Sequence, residues 1–221
     1  MRDFLYVGLS FVFVFMLIGF STLLKQLKWL PDEGSRKFVH IGVSHWIFFI
    51  LLFENVIFAL IPPVAFILLN YLSYRKNIFK AIERNGKRNL ATVYFAIALL
   101  LVVLFTFLIG ENKVYAPAAI GGMLVLGYGD GLASLVGQRW GKTRLFNGKS
   151  FEGSLTFFFT SGIILLLITW LFIPNGISNS WWFIPLSALI ITLVELLTPL
   201  DLDNASIPIL TTSLLWFLMQ A

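Results

Sequence analysis

The chain alternates long apolar runs with short polar stretches, and eight of those runs approach the roughly 20 residues that a transmembrane helix needs. They are Phe4 to Leu24, Phe38 to Phe53, Val56 to Leu72, Ala91 to Ile109, Val114 to Leu132, Ser154 to Ile173, Trp181 to Leu197, and Ala205 to Leu218. The second reaches full length only if its helix starts near Gly34; the third carries Pro62 and Pro63, and the eighth carries Pro208. The pattern predicts an all-α integral membrane protein with about eight transmembrane helices in one bundle, a single domain over residues 1–221. The first run is longer than the roughly 7–15 residues of a cleavable signal core, and Arg2 and Asp3 ahead of it cancel, so it is expected to stay as a span.

Composition agrees with that assignment. Hydrophobic residues make up 58% of the chain and charged residues 12%, with a mean hydropathy of +0.89; a soluble domain carries about 25% charged residues. Such a chain is neither a nucleic-acid-binding module nor a disordered tail. Without cysteine, disulfides, thiolate metal sites and thiol nucleophiles are also excluded. The net charge of +5 gains meaning from its placement. All of the 16 Lys and Arg residues except Arg2 and Lys113 lie after the first, third and fifth runs. The first group is Lys25, Lys28, Arg36 and Lys37; the second is Arg75, Lys76, Lys80, Arg84, Lys87 and Arg88; the third is Arg139, Lys142, Arg144 and Lys149. The intervening connections, Glu54-Asn55, Glu111 to Lys113 and Pro174 to Ser180, are poor in charge. The positive-inside rule then puts the basic connections in the cytoplasm and both termini outside. Attraction to anionic membrane lipids accounts for the 75–88 loop but not for the other two basic groups.

Carboxylates at membrane depth are costly and mark functional positions. Asp130, Glu152, Glu195 and Asp203 all fall at the ends of their runs that carry the basic connections, which suits a charged, water-soluble substrate. Asp130 lies in a glycine-rich stretch, Gly127 to Ser134, that continues through Gly137 and Gly141-Lys142 to Lys149, Ser150, Glu152, Gly153 and Ser154. Glycines at four-residue spacing serve helix packing equally well, but packing needs no carboxylate among them, whereas a divalent cation on phosphates does. Lys142 and Lys149 are either interfacial anchors or phosphate-binding point charges. Ser150 is an N-cap candidate for the sixth span, whose free N–H groups suit an anion. Glu152 either complements that helix dipole or joins Asp130 at a metal. In the second cluster, Glu33, Lys37 and His40 share one helical face with Arg36 adjacent. A surface ion-pair ladder is one reading of Glu33 and Lys37, and His40 is expected to make a buried polar contact or handle a proton. His45, turned elsewhere, reads as a satisfied core histidine. Pro199, Asp201 and Asn204 are explained by a turn, but Glu195, one turn inside the bilayer, is not.

These residues carry a resemblance. Gly129 to Lys142 (GDGLASLVGQRWGK) followed by Lys149 to Ser154 (KSFEGS) is similar to the signature of the CTP-dependent lipid kinases: dolichol kinase, phytol kinase and the CTP-dependent diacylglycerol kinase. Glu33 to His40 (EGSRKFVH) resembles that family's E-x-x-R-K-x-x-H element, and Glu195 with Asp203 to Pro208 (DNASIP) resembles its closing element. The blocks keep the family's order and span residues 33–208. The resemblance implies transfer of the CTP γ-phosphoryl group to the hydroxyl of a long-chain isoprenoid alcohol. It implies Mg²⁺ on Asp130, Glu152 and Asp203, with Arg36, Lys37, Lys142 and Lys149 neutralising the triphosphate. Gly129, Gly131, Gly153, Ser150 and Asn204 would complete the nucleotide site, and His40 or Glu195, with Asp130, would act on the alcohol. Diacylglycerol as the acceptor is an alternative. So is cytidylyl transfer, since phosphatidate cytidylyltransferases share the K-[ST]-x-E-G element, although their closing H-G-G-x-x-D-R signature is absent. A small-solute transporter would fit eight helices with buried carboxylates, but should show inverted repeats and midplane charge.

Overall fold

The computed structural model describes residues 1–76, 90–109, 113–173, 181–199 and 201–220. Lys80, Arg84, Lys87, Arg88, Glu111, Asn112 and the 174–180 connection, all named above, lie outside the described residues. The described chain is helical throughout: α1 (Arg2–Gln26), α2 (Asp32–Ser44) continued by a 3-10 stretch (His45–Leu51), α3 (Val56–Lys76), α4 (Ala91–Leu108), α5 (Ala116–Leu124), a π-helical turn (Val125–Asp130), α6 (Gly131–Trp140), α7 (Phe151–Phe172), α8 (Phe183–Leu197) and α9 (Asp203–Gln220).

Five segments are long and apolar enough to cross a membrane, including Ala116–Trp140 as one continuous span, and Phe183–Leu197 is a shorter apolar helix. The chain is a multi-pass membrane protein. Its burial pattern is that of a bundle in lipid, where helices gain nothing by hiding leucine from an equally apolar solvent and instead meet through small and polar residues. Thus α1 buries Asp3, Ser10, Val14 and Ser21 while Phe4 and Met16 face outward. On α9 the buried face includes Asp203, Asn204, Thr211 and Thr212 beside Ile207, Pro208, Leu215 and Leu218.

The eight expected runs all appear as helix, with instructive differences. The second begins at Asp32, so Glu33 and Arg36 occupy its first turns, ahead of the apolar part. Pro62 and Pro63 lie inside α3 and Pro208 inside α9 without ending either helix, as spans in a bundle tolerate. The fifth run does not stop at Leu132 but continues as α6 to Trp140, which places Ser134 and Gly137 on a helix. The switch to π-helical winding falls at Val125–Asp130; such single-turn widenings recur at functional sites.

Close approaches fix the centre. A Cβ at Gly122 would lie 2.2 Å from Thr212 Oγ1, so α5 and α9 touch through that glycine. Oγ atoms of Ser21 and Ser35, 2.6 Å apart, tie α1 to α2.

Candidate functional site

A polar cavity of about 480 Å³ opens at the end of the bundle that carries the basic connections, with walls from α2, α6, the 144–150 connection and the adjoining ends of α7, α8 and α9. Its charges are paired across elements distant in sequence. Lys37, on α2 and only 3% exposed, donates to Asp130 Oδ2 at 2.6 Å. His40, one turn further along α2, brings Nε2 to 3.1 Å from the same oxygen, off the line of a hydrogen bond. The expected Glu33–Lys37 ladder is therefore corrected. Glu33 instead takes Arg36, whose Nε donates to it at 3.1 Å, and Ser134 on α6, whose Oγ donates at 2.9 Å. Burial pushes the Glu33 carboxyl up, but the Arg36 guanidinium outweighs it and leaves the group below its ordinary range.

The second set of charges is assembled by a turn. Asn147 and Gly148 adopt left-handed backbone, φ 54° and 76°, conformations that suit these residue types. The chain there folds back on itself: Leu145 N–H donates to Lys149 O at 2.8 Å and Phe151 N–H to Thr143 O at 2.9 Å. Asn147 Nδ2 also donates to Leu196 O at 3.1 Å, locking the turn against α8. Lys149 is thereby aimed inward, with Nζ 2.7 Å from Glu195 Oε1 and 2.9 Å from Asp203 Oδ2; it also donates to the Glu195 carbonyl. Burial pushes the Lys149 ammonium down, but Asp203 and Glu195 outweigh that and hold it above its ordinary value. Ser150 caps α7, accepting from Gly153 N–H at 3.1 Å, and a Cβ at Gly153 would sit 2.9 Å from Ala133 O, so this glycine is what lets α6 and α7 close on the cavity floor.

Arg36, Lys37, Asp130, Lys149, Ser150, Gly153, Glu195, Asp203 and Asn204 are thus brought to one cavity. Five of the expected residues are not, and one of them, His40, lines the adjoining cleft instead. The Lys142 side chain is exposed, and its backbone N–H donates to Glu152 Oε1 at 3.1 Å, so these two form a local pair at the start of α7 away from the cavity lining. The Cα faces of Gly129 and Gly131 are covered by Phe157 and Ile41, where an added Cβ would meet side-chain carbons at 2.9 and 2.7 Å. These two glycines pack helices and present no backbone to the cavity. His45 is satisfied as expected, with Nδ1 2.9 Å from Ile41 O and Nε2 3.2 Å from the Tyr128 hydroxyl. Ser134, Gln138, Arg144, Asn147, Ser154, Thr198 and Asp201 line the cavity too. Of these, Ser134 could have been found from its position four residues after Asp130, and Asn147 from the Asn-Gly turn signal.

Beside this cavity runs a second, narrow cleft of about 80 Å³ between α1, α2, α3 and α4. Arg36 and Asn204 line both spaces, and His40 lines the cleft while touching Asp130 of the cavity.

A charged cavity at one end of a multi-pass helical bundle, abutting an apolar cleft, defines a membrane protein with a polar space and an apolar one side by side. Comparison with known proteins is more specific. No protein-family model matches the chain, and neither does any solved structure. The chain is 32% identical over 167 residues to "Phytol kinase" of Synechocystis sp., covering 73% of this chain and 69% of that protein. It is 32% identical over 204 residues to "Probable phytol kinase 1, chloroplastic" of Oryza sativa (82% and 63% of the two chains) and 32% identical over 220 residues to a "Probable phytol kinase, chloroplastic" of Triticum aestivum (89% and 70%). The chain belongs to the phytol kinase family.

Proposed function

We propose that the protein is a phosphotransferase that moves the γ-phosphoryl group of CTP to the hydroxyl of an isoprenoid alcohol; the names of its relatives, phytol kinases, support a kinase acting on such an alcohol. The observation that carries this reading is the junction of the two spaces: the apolar cleft meets the charged cavity at Arg36, His40 and Asn204, with Asp130 3.1 Å beyond His40. Phosphoryl transfer is largely positioning and charge neutralisation, and the cavity offers both signs of charge. Arg36, Lys37 and Lys149 neutralise the triphosphate. The α7 N-terminus at Ser150 and Gly153 supplies backbone donors to it.

His40 is favoured over Glu195 as the residue that receives the alcohol. It lines the apolar cleft, whereas Glu195 is buried against Lys149 and lines only the cavity. In the transfer the alcohol oxygen bonds to the γ-phosphorus, the bond to the β-bridging oxygen breaks, and CDP leaves. The hydroxyl proton passes to the His40 imidazole.

Among the described residues no three ligand-type side chains converge on a point. Mg²⁺ is nonetheless suited to the donor set, because it is commonly held by one or two carboxylates plus substrate phosphates; Asp130 and Asp203, both on the cavity wall, are the carboxylates for it, and Glu152 is not among them. Bound there it would neutralise phosphate charge. The excess of Lys and Arg at the cavity end of the bundle supports a cytoplasmic active site.

Incubating the purified protein with CTP, Mg²⁺ and phytol is expected to yield the alcohol monophosphate and CDP by mass spectrometry. Release of pyrophosphate with a CDP-lipid would overturn the kinase reading in favour of cytidylyl transfer.

A further inference from the structure

The cleft between α1 and α4 has a polarity gradient along its α2, α3 and α4 walls, while its α1 wall, Val14 and Ile18, is apolar. Toward the cavity its rim carries Arg36, His40, Asn70, Thr92 and Asn204; further down it is lined by Val43, Phe66 and Leu99, by Val14 of α1, and by Trp46 in the 3-10 stretch that continues α2. On α2 and its 3-10 continuation the lining positions, 36, 39, 40, 43 and 46, follow helical spacing, so one continuous face descends from the charged rim to the Trp46 indole. Ten residues of helix correspond to about 15 Å, half of the roughly 30 Å hydrocarbon core. Trp46 is 1% exposed and is backed by Phe49 and Phe53, with ring centroids at 5.9 and 6.4 Å. The small side chain of Ala96 leaves the cleft its width on the opposite wall.

We infer that this cleft holds the hydrocarbon tail of the acceptor alcohol and that Trp46 is a specificity-determining residue that closes its floor and limits tail length. The inference rests on the phosphoryl-transfer reading above and adds to it where the tail lies and what sets its length. The occupant follows from continuity: a chain whose hydroxyl sits at His40 has this apolar path and no charged one leading away from it. Lipid surrounding the bundle is as apolar as the cleft wall, so a tail gains little from transfer alone. Selection among alcohols must then come from fit, which the floor controls. A short isoprenoid chain ends above Trp46, whereas a long polyprenol has to leave the cleft sideways before its end is reached.

Two measurements test this separately from the kinase reading. First, a geranylgeraniol analogue with a terminal diazirine is photolysed with the detergent-purified protein and its adducts are mapped. Adducts on peptides holding Trp46, Val14 or Leu99, competed by unlabelled geranylgeraniol, are expected. Adducts confined to outward-facing residues such as Phe159 and Trp170 would overturn the cleft. Second, kcat/KM is compared for farnesol, geranylgeraniol and undecaprenol. Trp46→Ala should raise the undecaprenol-to-farnesol ratio on the order of tenfold, the discrimination that small volume changes in an apolar pocket give. Ala96→Leu, which narrows the cleft without removing a large side chain, should shift that ratio the other way, and the KM for CTP should not move in either variant. An unchanged ratio in both variants rejects Trp46 as the length determinant. Competed cleft adducts without phosphorylation of any alcohol leave the tail site standing and sink the kinase reading; phosphorylation with adducts elsewhere does the reverse.

Discussion

Replacing Lys149 with methionine isolates what the folded-back turn accomplishes. In the native protein its ammonium lies 2.7 Å from Glu195 and 2.9 Å from Asp203, and those two carboxylate residues are only 5% and 8% exposed. Methionine keeps most of the side-chain volume but leaves both carboxylates without their cation. Removing one partner of a buried pair costs about 3–5 kcal/mol. Because the Lys149 side chain is itself 21% exposed and the cavity admits water, the lower end, about 3 kcal/mol, is the appropriate figure. At about 2–4 °C per kcal/mol for a chain of this size, the melting midpoint in detergent should fall by roughly 6–12 °C. Thermal melts followed by intrinsic tryptophan fluorescence at neutral pH provide the assay, with Lys149→Arg as the control that keeps the charge and most of the stability. Adding Glu195→Gln to Lys149→Met should recover about half of the loss, since one of the two orphaned charges is then gone. A midpoint shift under about 2 °C for Lys149→Met, or no recovery in the double variant, would refute the view that this lysine holds the two carboxylates in place.

Three further outcomes are expected. Asp130→Asn should lower turnover by about 10²–10³-fold and also destabilise the fold, because Lys37 loses its counterion while 3% exposed; Lys37→Met with Asp130→Asn should restore the melting midpoint without restoring activity. Stability should depend on pH at both extremes. Lys149, held above its ordinary value of 10.5, contributes stability that is fully present below pH 10.5 and lost as pH rises through the raised value; Glu33, held below its ordinary 4.5, contributes stability present above pH 4.5 and lost as pH falls through the lowered value. A pH series of melts checks both limbs, and Glu33→Gln should flatten the acid one. Finally, CTP and Mg²⁺ together should raise the melting midpoint by more than the sum of their separate effects, measurable in one titration matrix; additive shifts would contradict coupled binding.

Hydropathy alone carried the architecture, because a span in lipid needs only length and apolarity and neither depends on its neighbours. The candidate site was legible in part for a similar reason. A carboxylate at membrane depth is conspicuous wherever its partner lies, so Asp130, Glu195 and Asp203 stand out unaided, and so does Glu152, which accepts from the Lys142 N–H and does not line the cavity. Pairing was not legible. Lys37 and Asp130 are 93 residues apart, and helical spacing assigns Lys37 to a face without saying which element covers it, so a local Glu33–Lys37 ladder fits the sequence equally well; the packing of α2 against the π-helical turn and α6 selects Asp130. Lys142 and Lys149 looked equivalent as basic residues flanking a span. The turn at Asn147 and Gly148 makes the difference, sending one inward to Glu195 and leaving the other exposed. The glycines at 129 and 131 resembled a phosphate-binding run, yet helices facing Phe157 and Ile41 need the same absence of a side chain.

The pairing also bears on how the site would work. Three cavity carboxylates are neutralised by a cation from another element, Asp130 by Lys37 and both Glu195 and Asp203 by Lys149, while Glu33 beside them takes Arg36 from its own helix. Such an arrangement is required before substrate arrives, because an unpaired charge at this depth is costly. Arg144, which lines the cavity and donates to the Gly148 carbonyl, can meet an entering triphosphate directly, but Lys37, Lys149 and Arg36 reach it by leaving partners they already hold. That exchange is unfavourable if it strands Asp130 and Asp203, and it balances if a divalent cation takes the carboxylates as the lysines turn to phosphate. The anion and the metal would then each remove the cost of binding the other, and the coupling between them follows from the charge inventory of the site.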